Sequence, residues 1–384
     1  MRLFVSAGEP SGDLHGANLI HALRQREPSV EIHGFGGDRM AHAGGRLLYP
    51  LCDLAVVGIA PVVANLPRFW GLLDRADRFF ARQRPDALVL IDYPGFHWWL
   101  ARRARAHGIP VVYFVPPQIW GWLTYRVHKM RRLTDRVLCT LPFEEEWYRQ
   151  RNVAAEYIGH PYFDELREQR LDRAFVDEQR NKPGNVVALL PGSRNTELQF
   201  NLSSLVRAAG LIHAQRPDTR FLAACFRERH RGQVEESLRG SGLPIEVHVG
   251  RTPEIIHLAH SCMAVSGSVS LELLYRVKPT AVLYRHRRIS IALAHLLKRV
   301  PYITLVNLLA NKELFPEYFG VQCPAESMAG HILGWLNDRT AYESRCAELA
   351  ALRDRVAAPG ACERAAESIL AMVRATHGKH PLAA

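Results

Sequence analysis

Short apolar runs, each followed by an amphipathic stretch of helical periodicity, recur along the 384-residue chain. Few folds accept that pattern. A strand that is apolar on both faces has to be covered on both, and successive strand–helix units wind into a parallel sheet. In the first half the runs Arg2–Ser6, Val30–Phe35, Ala87–Ile91, Pro110–Phe114, Arg136–Thr140 and Ala155–Ile158 are predicted strands. Helical spacing separates them at Leu14–Arg26, Arg68–Gln83, His97–His107 and Phe143–Arg149. The second half repeats the theme with Val186–Leu190, Arg220–Ala224, Ile245–Val249, Cys262–Val265 and Thr280–Leu283. Between the halves, Asp164–Gly184 is charged and ends in Asn181-Lys182-Pro183-Gly184, which reads as a connecting helix and linker. The expected domains are therefore 1–165 and 185–325, with a helical tail over 326–384. Two doubly wound α/β domains in succession are expected to face a central cleft, with ligands beyond the carboxyl ends of the strands.

Composition fits a folded chain, with 48% hydrophobic and 23% charged residues, and excludes a disordered or fibrous one. The stretch Leu54–Leu66 is uncharged but broken by Gly58, Pro61 and Asn65. A spanning helix needs about 20 apolar residues, so none is expected. The start, Met1 to Asp13, lacks the apolar core of an export signal. Seven cysteines without a Cys-x-x-Cys pair read as thiols in a reducing cytoplasm. The net charge is +11, from 49 basic against 38 acidic residues. Of the basic residues 43 are Arg and 6 are Lys, a bias that base composition produces as readily as phosphate binding, so position outweighs the total.

Chemistry-bearing residues cluster just after the strands. The first strand runs into Ala7-Gly8-Glu9-Pro10-Ser11-Gly12-Asp13, a turn in which Ser11 or Asp13 could also be a plain helix cap. Glu9 at a strand end is badly placed for burial and well placed for a cleft. Asp92 closes the apolar run Ala87–Ile91 and reads equally as a general base or as a turn aspartate. After Val186–Leu190 come Pro191, Gly192, Ser193 and Arg194, with Glu197 one turn on: small residues and a planar guanidinium suited to phosphate oxygens. After Cys262–Val265, Ser266, Gly267 and Ser268 open a helix that carries Glu272, an arrangement for a diphosphate with a carboxylate for ribose hydroxyls; an ordinary serine cap is the alternative. His160, after another strand, is expected to line the cleft.

The absent patterns exclude classes. There is no P-loop signature, no HExxH or paired Cys/His spacing, and no Asp-x-Asp metal clamp. No metal cofactor is expected, and diphosphate charge falls to Arg194 and helix dipoles. Nucleic acid has no recognisable motif here. Two segments suit a membrane surface. Asn65–Arg84 places Leu66, Phe69, Trp70 and Leu73 on one face amid arginines, although core packing accounts for the same stripe. Arg285–Arg299, with Arg285 and Arg288 at its start, flanks an apolar centre with cations suited to anionic headgroups. Trp120 and Trp122 follow Pro116-Pro117 and are candidates for an acyl or sugar pocket.

Taken in order, Gly8–Asp13, Ile91–Pro94 with Phe96, Pro117–Trp122, Leu141–Glu144, Ile158–Pro161, Leu190–Arg194 with Glu197, Ser266–Ser268 with Leu271-Glu272, and Asn307–Leu309 resemble the lipid-A-disaccharide synthase family of inverting glycosyltransferases. The resemblance implies a GT-B fold with C-terminal helices returning to the first domain. It implies transfer from UDP-2,3-diacylglucosamine to 2,3-diacylglucosamine 1-phosphate, with UDP-sugar as substrate and no cofactor, at the inner face of the cytoplasmic membrane. Asp92 takes the place of the family's essential aspartate. Arg194, the Ser266–Ser268 turn, Glu272 and Asn307 take the UDP positions, and Gly8, Glu9, Ser11 and Gly12 form the acceptor-side loop, in which Glu9 is expected to be catalytic together with Asp92. The chain departs from the pattern at Val56–Val62, Leu123, Val306 and Gly320. A UDP-sugar epimerase, a transferase with another acceptor, and a non-catalytic lipid- or nucleotide-binding relative remain open on sequence.

Overall fold

A computed structural model describes residues 1–54 and 65–379; the altered Val56–Val62 segment lies outside the described residues. The chain divides into two compact units, Met1–Asp164 with Ala358–Ala384, and Glu165–Ala357.

The first unit is built on seven parallel strands: β1 (Arg2–Ala7), β2 (Glu31–Phe35), β3 (Arg46–Tyr49), β4 (Ala87–Ile91), β5 (Val111–Phe114), β6 (Arg136–Cys139) and β7 (Ala155–Tyr157). Their order is β3-β2-β1-β4-β5-β6-β7. Alternation along each strand feeds two cores. Leu3, Val5, Val89, Ile91 and Phe114 point to one face, and Phe4, Leu88, Leu90, Val111 and Tyr113 to the other. Helix α1 (Pro10–Arg26) covers the first face. The second carries α3 (Leu66–Gln83) and α4 (Pro94–Ala106), while short α2 (Asp38–His42) links β2 to β3. Helices α5 (Val127–Leu133) and α6 (Pro142–Arg149) complete the series.

Helix α7 (Pro161–Glu168) carries the division between units, and α8 (Arg173–Arg180) begins the second. Its six strands are β8 (Val186–Leu190), β9 (Arg220–Cys225), β10 (Ile245–Val249), β11 (Ser261–Val265), β12 (Thr280–Arg285) and β13 (Glu317–Gly320), ordered β10-β9-β8-β11-β12-β13. The helices are α9 (Asn195–Gln215), α10 (Glu228–Leu238), α11 (Thr252–Leu258), α12 (Val269–Tyr275), α13 (Arg288–Leu297) and α14 (Leu305–Ala310). Strand order reverses between β1 and β4 in one sheet and between β8 and β11 in the other. A doubly wound sheet opens its ligand crevice at such a reversal.

The tail is shared out. Helices α15 (Ala325–Asn337) and α16 (Arg339–Val356) belong to the second unit, where Met328, Ile332 and Trp335 join its core; only α17 (Ala361–Lys379) belongs to the first. The expectation that all of 326–384 returns is corrected accordingly. Helix α17 is fixed by Ala361, Ala365, Ile369 and Val373 in the α1-side core. The Asp164 carboxylate accepts the Gly360 and Cys362 N–H groups at 2.6 and 3.1 Å, anchoring its start. Strands β3 and β13, absent from the sequence reading, are the outermost of their sheets and only partly buried, so they carry no continuous apolar run.

Candidate active site

In the first unit, parallel register sets Ala7 beside Ile91, so the residues that follow, Gly8-Glu9 and Asp92-Tyr93, emerge together at the β1/β4 reversal. Gly8 is buried beneath Tyr93: a Cβ there would lie 2.2 Å from the ring. Gly12 is likewise buried, against Ala7 and Ile91, so both glycines serve packing, while Ser11 is exposed on the first turn of α1. Asp13 caps a neighbouring helix. Its carboxylate accepts the N–H groups of Gly37, Arg39 and Met40 at 2.8 to 3.1 Å and ties α1 to the start of α2.

Asp92 and Tyr93 both have φ of +48°, as consecutive left-handed non-glycine residues. The Asp92 carboxyl is pushed up to about 6, first by burial and then by the Glu9 charge, against the lowering effect of the Tyr93 N–H. Two acidic residues thus follow the paired strands at the reversal, and the Asp92 carboxyl is raised to about 6. That suits the proton transfers of a hydroxyl group.

In the second unit, register sets Leu190 beside Ala264 and places Pro191–Arg194 next to Ser266–Ser268. Glu197 organises the first loop. Its Oε2 accepts the Ser193 and Arg194 N–H groups at 2.8 and 3.1 Å, and its Oε1 accepts from the Arg194 guanidinium at 3.2 Å. Glu197 is therefore a brace for the loop, and Arg194 stays largely exposed at 59%. Gly192 has φ of +102°, and a Cβ there would sit 2.5 Å from the Glu197 carboxylate. Gly192→Ala is expected to break this brace and lower the unfolding midpoint in a thermal melt, through left-handed strain and the lost bonds together. Gly267 and Ser268 are exposed and Ser266 is half-buried. Glu272 is buried in an ion pair, its Oε1 accepting from Arg276 Nε at 2.9 Å.

Three expected site groups serve the fold instead. Asn307 is completely buried. Its amide donates to Phe315 O and Glu317 Oε1, and its Oδ1 accepts the Leu314 and Phe315 N–H groups, all at 2.7 to 2.9 Å. No capacity is left for a nucleotide. Trp120 is 6% exposed and donates its indole N–H to Glu144 at 2.7 Å, so it lines no open pocket; Trp122 is half-buried. Glu144 also accepts from Thr140 N and Leu141 N, while burial pushes it up to about 7. Arg285 donates to Ser204 Oγ at 2.6 Å and Val321 O at 3.2 Å and pins β12 rather than reaching outward, whereas Arg288 is exposed. His160 is half-buried against His15, ring centroids 6.1 Å apart, and desolvation and the His15 charge hold it down to about 3, so it stays neutral.

On α3, Phe69 turns inward against Phe96 and Leu73 is buried, while Leu66 and Trp70 stay 42% and 44% exposed. Trp99 of α4, which sequence spacing missed because it lies on another helix, stands 5.3 Å from Trp70 and carries Arg102 over its ring. Among the described residues, no three His, Cys, Asp or Glu groups gather as a metal-ion ligand set, and no helix is long and apolar enough to cross a membrane.

Two Rossmann-like units with polar loops at both strand reversals define the GT-B class of α/β proteins. Solved structures of that class support the fold: the S. aureus MnaA–UDP co-structure has a TM-score of 0.67 at 11% identity, covering 96% of this chain and 95% of its own. UDP-GlcNAc 2-epimerase from Neisseria meningitidis bound to UDP-GlcNAc has a TM-score of 0.67 at 13% identity, covering 96% and 100%. Sequence narrows this to one family, because the model described as Lipid-A-disaccharide synthetase matches residues 3–367. The lipid-A-disaccharide synthase of Myxococcus xanthus is 35% identical over 97% of both chains, and that of Geobacter sulfurreducens 32% identical over 97% of both. The chain belongs to the lipid-A-disaccharide synthase family.

Proposed function

We propose that this chain is a metal-independent, inverting glycosyltransferase of lipid A biosynthesis, joining UDP-2,3-diacylglucosamine to 2,3-diacylglucosamine 1-phosphate. The observation that carries the reading is Asp92, lifted to about 6 beside Glu9 at the β1/β4 reversal. In the reaction, the acceptor 6-hydroxyl oxygen forms a bond to the anomeric carbon of the donor and loses its proton to Asp92. The anomeric C–O bond to the diphosphate breaks on the opposite face, and UDP leaves with the electron pair. An ordinary aspartate is a weak base for an alcohol, and lifting it toward neutrality strengthens it without costing ionisation at pH 7 to 8. UDP needs no proton to depart, but its growing charge needs partners. The exposed Arg194 guanidinium and the Ser193 and Ser266–Ser268 groups supply them in the second unit.

A panel of UDP, GDP, ADP and NAD in thermal unfolding tests the nucleotide class. UDP alone is expected to raise the midpoint. Stabilisation by NAD and not by UDP would discard the reading. Activity on both acyl-sugars, followed by UDP release, tests the substrate pair. A family member that acts on acylated sugars has to reach a lipid surface, and Leu66, Trp70 and Trp99 with Arg102 form the apolar, cationic patch for it. Trp70→Ser combined with Trp99→Ser is expected to weaken sedimentation with phosphatidylglycerol vesicles at least about tenfold, each indole contributing roughly 1.5–3 kcal/mol of burial. Unchanged sedimentation would remove the patch from the membrane contact.

A further inference from the structure

The Asp92 peptide is held by groups that no motif in the sequence marked. His97, on the first turn of α4 and fully buried, places Nδ1 2.6 Å from the Asp92 carbonyl oxygen. A carbonyl only accepts, so Nδ1 carries the proton and Nε2 is left as an acceptor. Ser6, at the end of β1 and fully buried, supplies the matching donor, its Oγ lying 2.9 Å from Nε2. Tyr113 of β5, also fully buried, donates its hydroxyl to the same Asp92 carbonyl at 2.7 Å. On the other side of the peptide, Asp92 N–H donates to Val115 O at 3.2 Å, and Val115 itself has φ of +53°.

Two successive left-handed residues with side chains are strained, and such a turn persists only where its surroundings over-determine it. Here three strands and a helix converge on one peptide. We infer that Ser6, His97 and Tyr113 are positioning residues that lock the Asp92 backbone in its left-handed turn and thereby aim its carboxylate at the acceptor hydroxyl. None of the three touches substrate in this scheme. They act through the direction of one carboxylate, and a relaxed extended turn at Asp92 would swing it away. The inference rests on Asp92 as the base. The Asp92 carboxyl feels the Glu9 charge from the β1–α1 turn and accepts the Tyr93 N–H; Tyr113 of β5 feels the charges of Asp92 and Arg126, and the Tyr93 hydroxyl those of Glu9 and Cys52.

The test compares Tyr113→Phe, His97→Leu and His97→Asn with Asp92→Asn in the full-length protein, using kcat per UDP-binding site, KM for the UDP-sugar, the pH–rate profile and the unfolding midpoint. Tyr113→Phe and His97→Leu are expected to lower kcat about 10- to 100-fold with KM unchanged, the cost of a misaimed group, and to displace the acidic limb of the profile. His97→Asn keeps a donor near the Nδ1 position and is expected to recover part of that loss. If Asp92→Asn is inactive while folded Tyr113→Phe turns over at the parent rate with the parent pH profile, the positioning role is overturned and the base remains. If Asp92→Asn itself turns over at the parent rate, the base assignment falls and the positioning role falls with it. Tyr113→Phe removes one oxygen and keeps the ring, so it decides the matter even where His97→Leu does not fold.

Discussion

Replacing Asp92 with Asn is expected to lower disaccharide formation about 10²- to 10⁴-fold, the usual contribution of a positioned general base. UDP affinity should stay within about twofold, because the UDP groups proposed here belong to the other unit. Calorimetry with UDP alongside product assay separates the two effects. In the parent protein the rate should fall as pH drops through about 6, since the base works only when ionised and its carboxyl titrates there. Glu9→Gln removes the neighbouring negative charge that raises Asp92, so the acidic limb should move to lower pH while the plateau is retained. For stability the sign runs the other way. A carboxyl raised above its ordinary value is easier to bury when protonated, so Asp92 subtracts stability as pH rises from about 4 to above 6. Asp92→Asn should therefore unfold at a slightly higher temperature than the parent at pH 8. A full-rate Asp92→Asn enzyme would end the base assignment.

The pattern of apolar runs made the two parallel sheets legible, because a strand buried on both faces must be a nearly unbroken apolar segment. Residues 87–91 are the plainest case, every one of them fully buried. The same logic pointed to Glu9, Asp92 and Arg194, since a polar residue directly after such a strand can only emerge at its carboxyl end. Edge strands β3 and β13 were hidden because partial burial leaves no apolar signature. The buried polar network at Asp92 was hidden for a different reason. Ser6, His97 and Tyr113 lie on three separate elements and meet only once register is fixed, so no local spacing announces them. Trp99 is a parallel case on the surface: its partner Trp70 is on another helix. Where motif and burial disagree, burial decides. Glu197 belongs to the motif's loop, yet its carboxylate is spent on bracing it.

Asn307 gives the sharpest contrast between a motif position and its physical role, and Asn307→Ala should have the largest stability effect in the second unit. The residue joins the start of α14 to the segment before β13. With the amide gone, the Leu314 and Phe315 N–H groups and the Phe315 carbonyl lose their partners at a fully buried site. The Glu317 carboxylate loses one of its donors but keeps Ile303 N–H, Thr304 N–H and the Thr304 hydroxyl. Each orphaned buried group costs roughly 1–3 kcal/mol, so about 3–5 kcal/mol in all is expected after partial relaxation. That is a large share of the stability of an ordinary domain, and Asn307→Ala should show a much lower denaturant midpoint. Below that midpoint, the folded fraction should bind UDP as the parent does. Asn307→Asp keeps both acceptor sites and loses the two donors, while adding a charge beside Glu317, so it should be no more stable than the alanine variant. If instead the alanine variant unfolds like the parent and loses UDP affinity, the side chain reaches the nucleotide after all and the hydrogen-bonded knot is not its purpose.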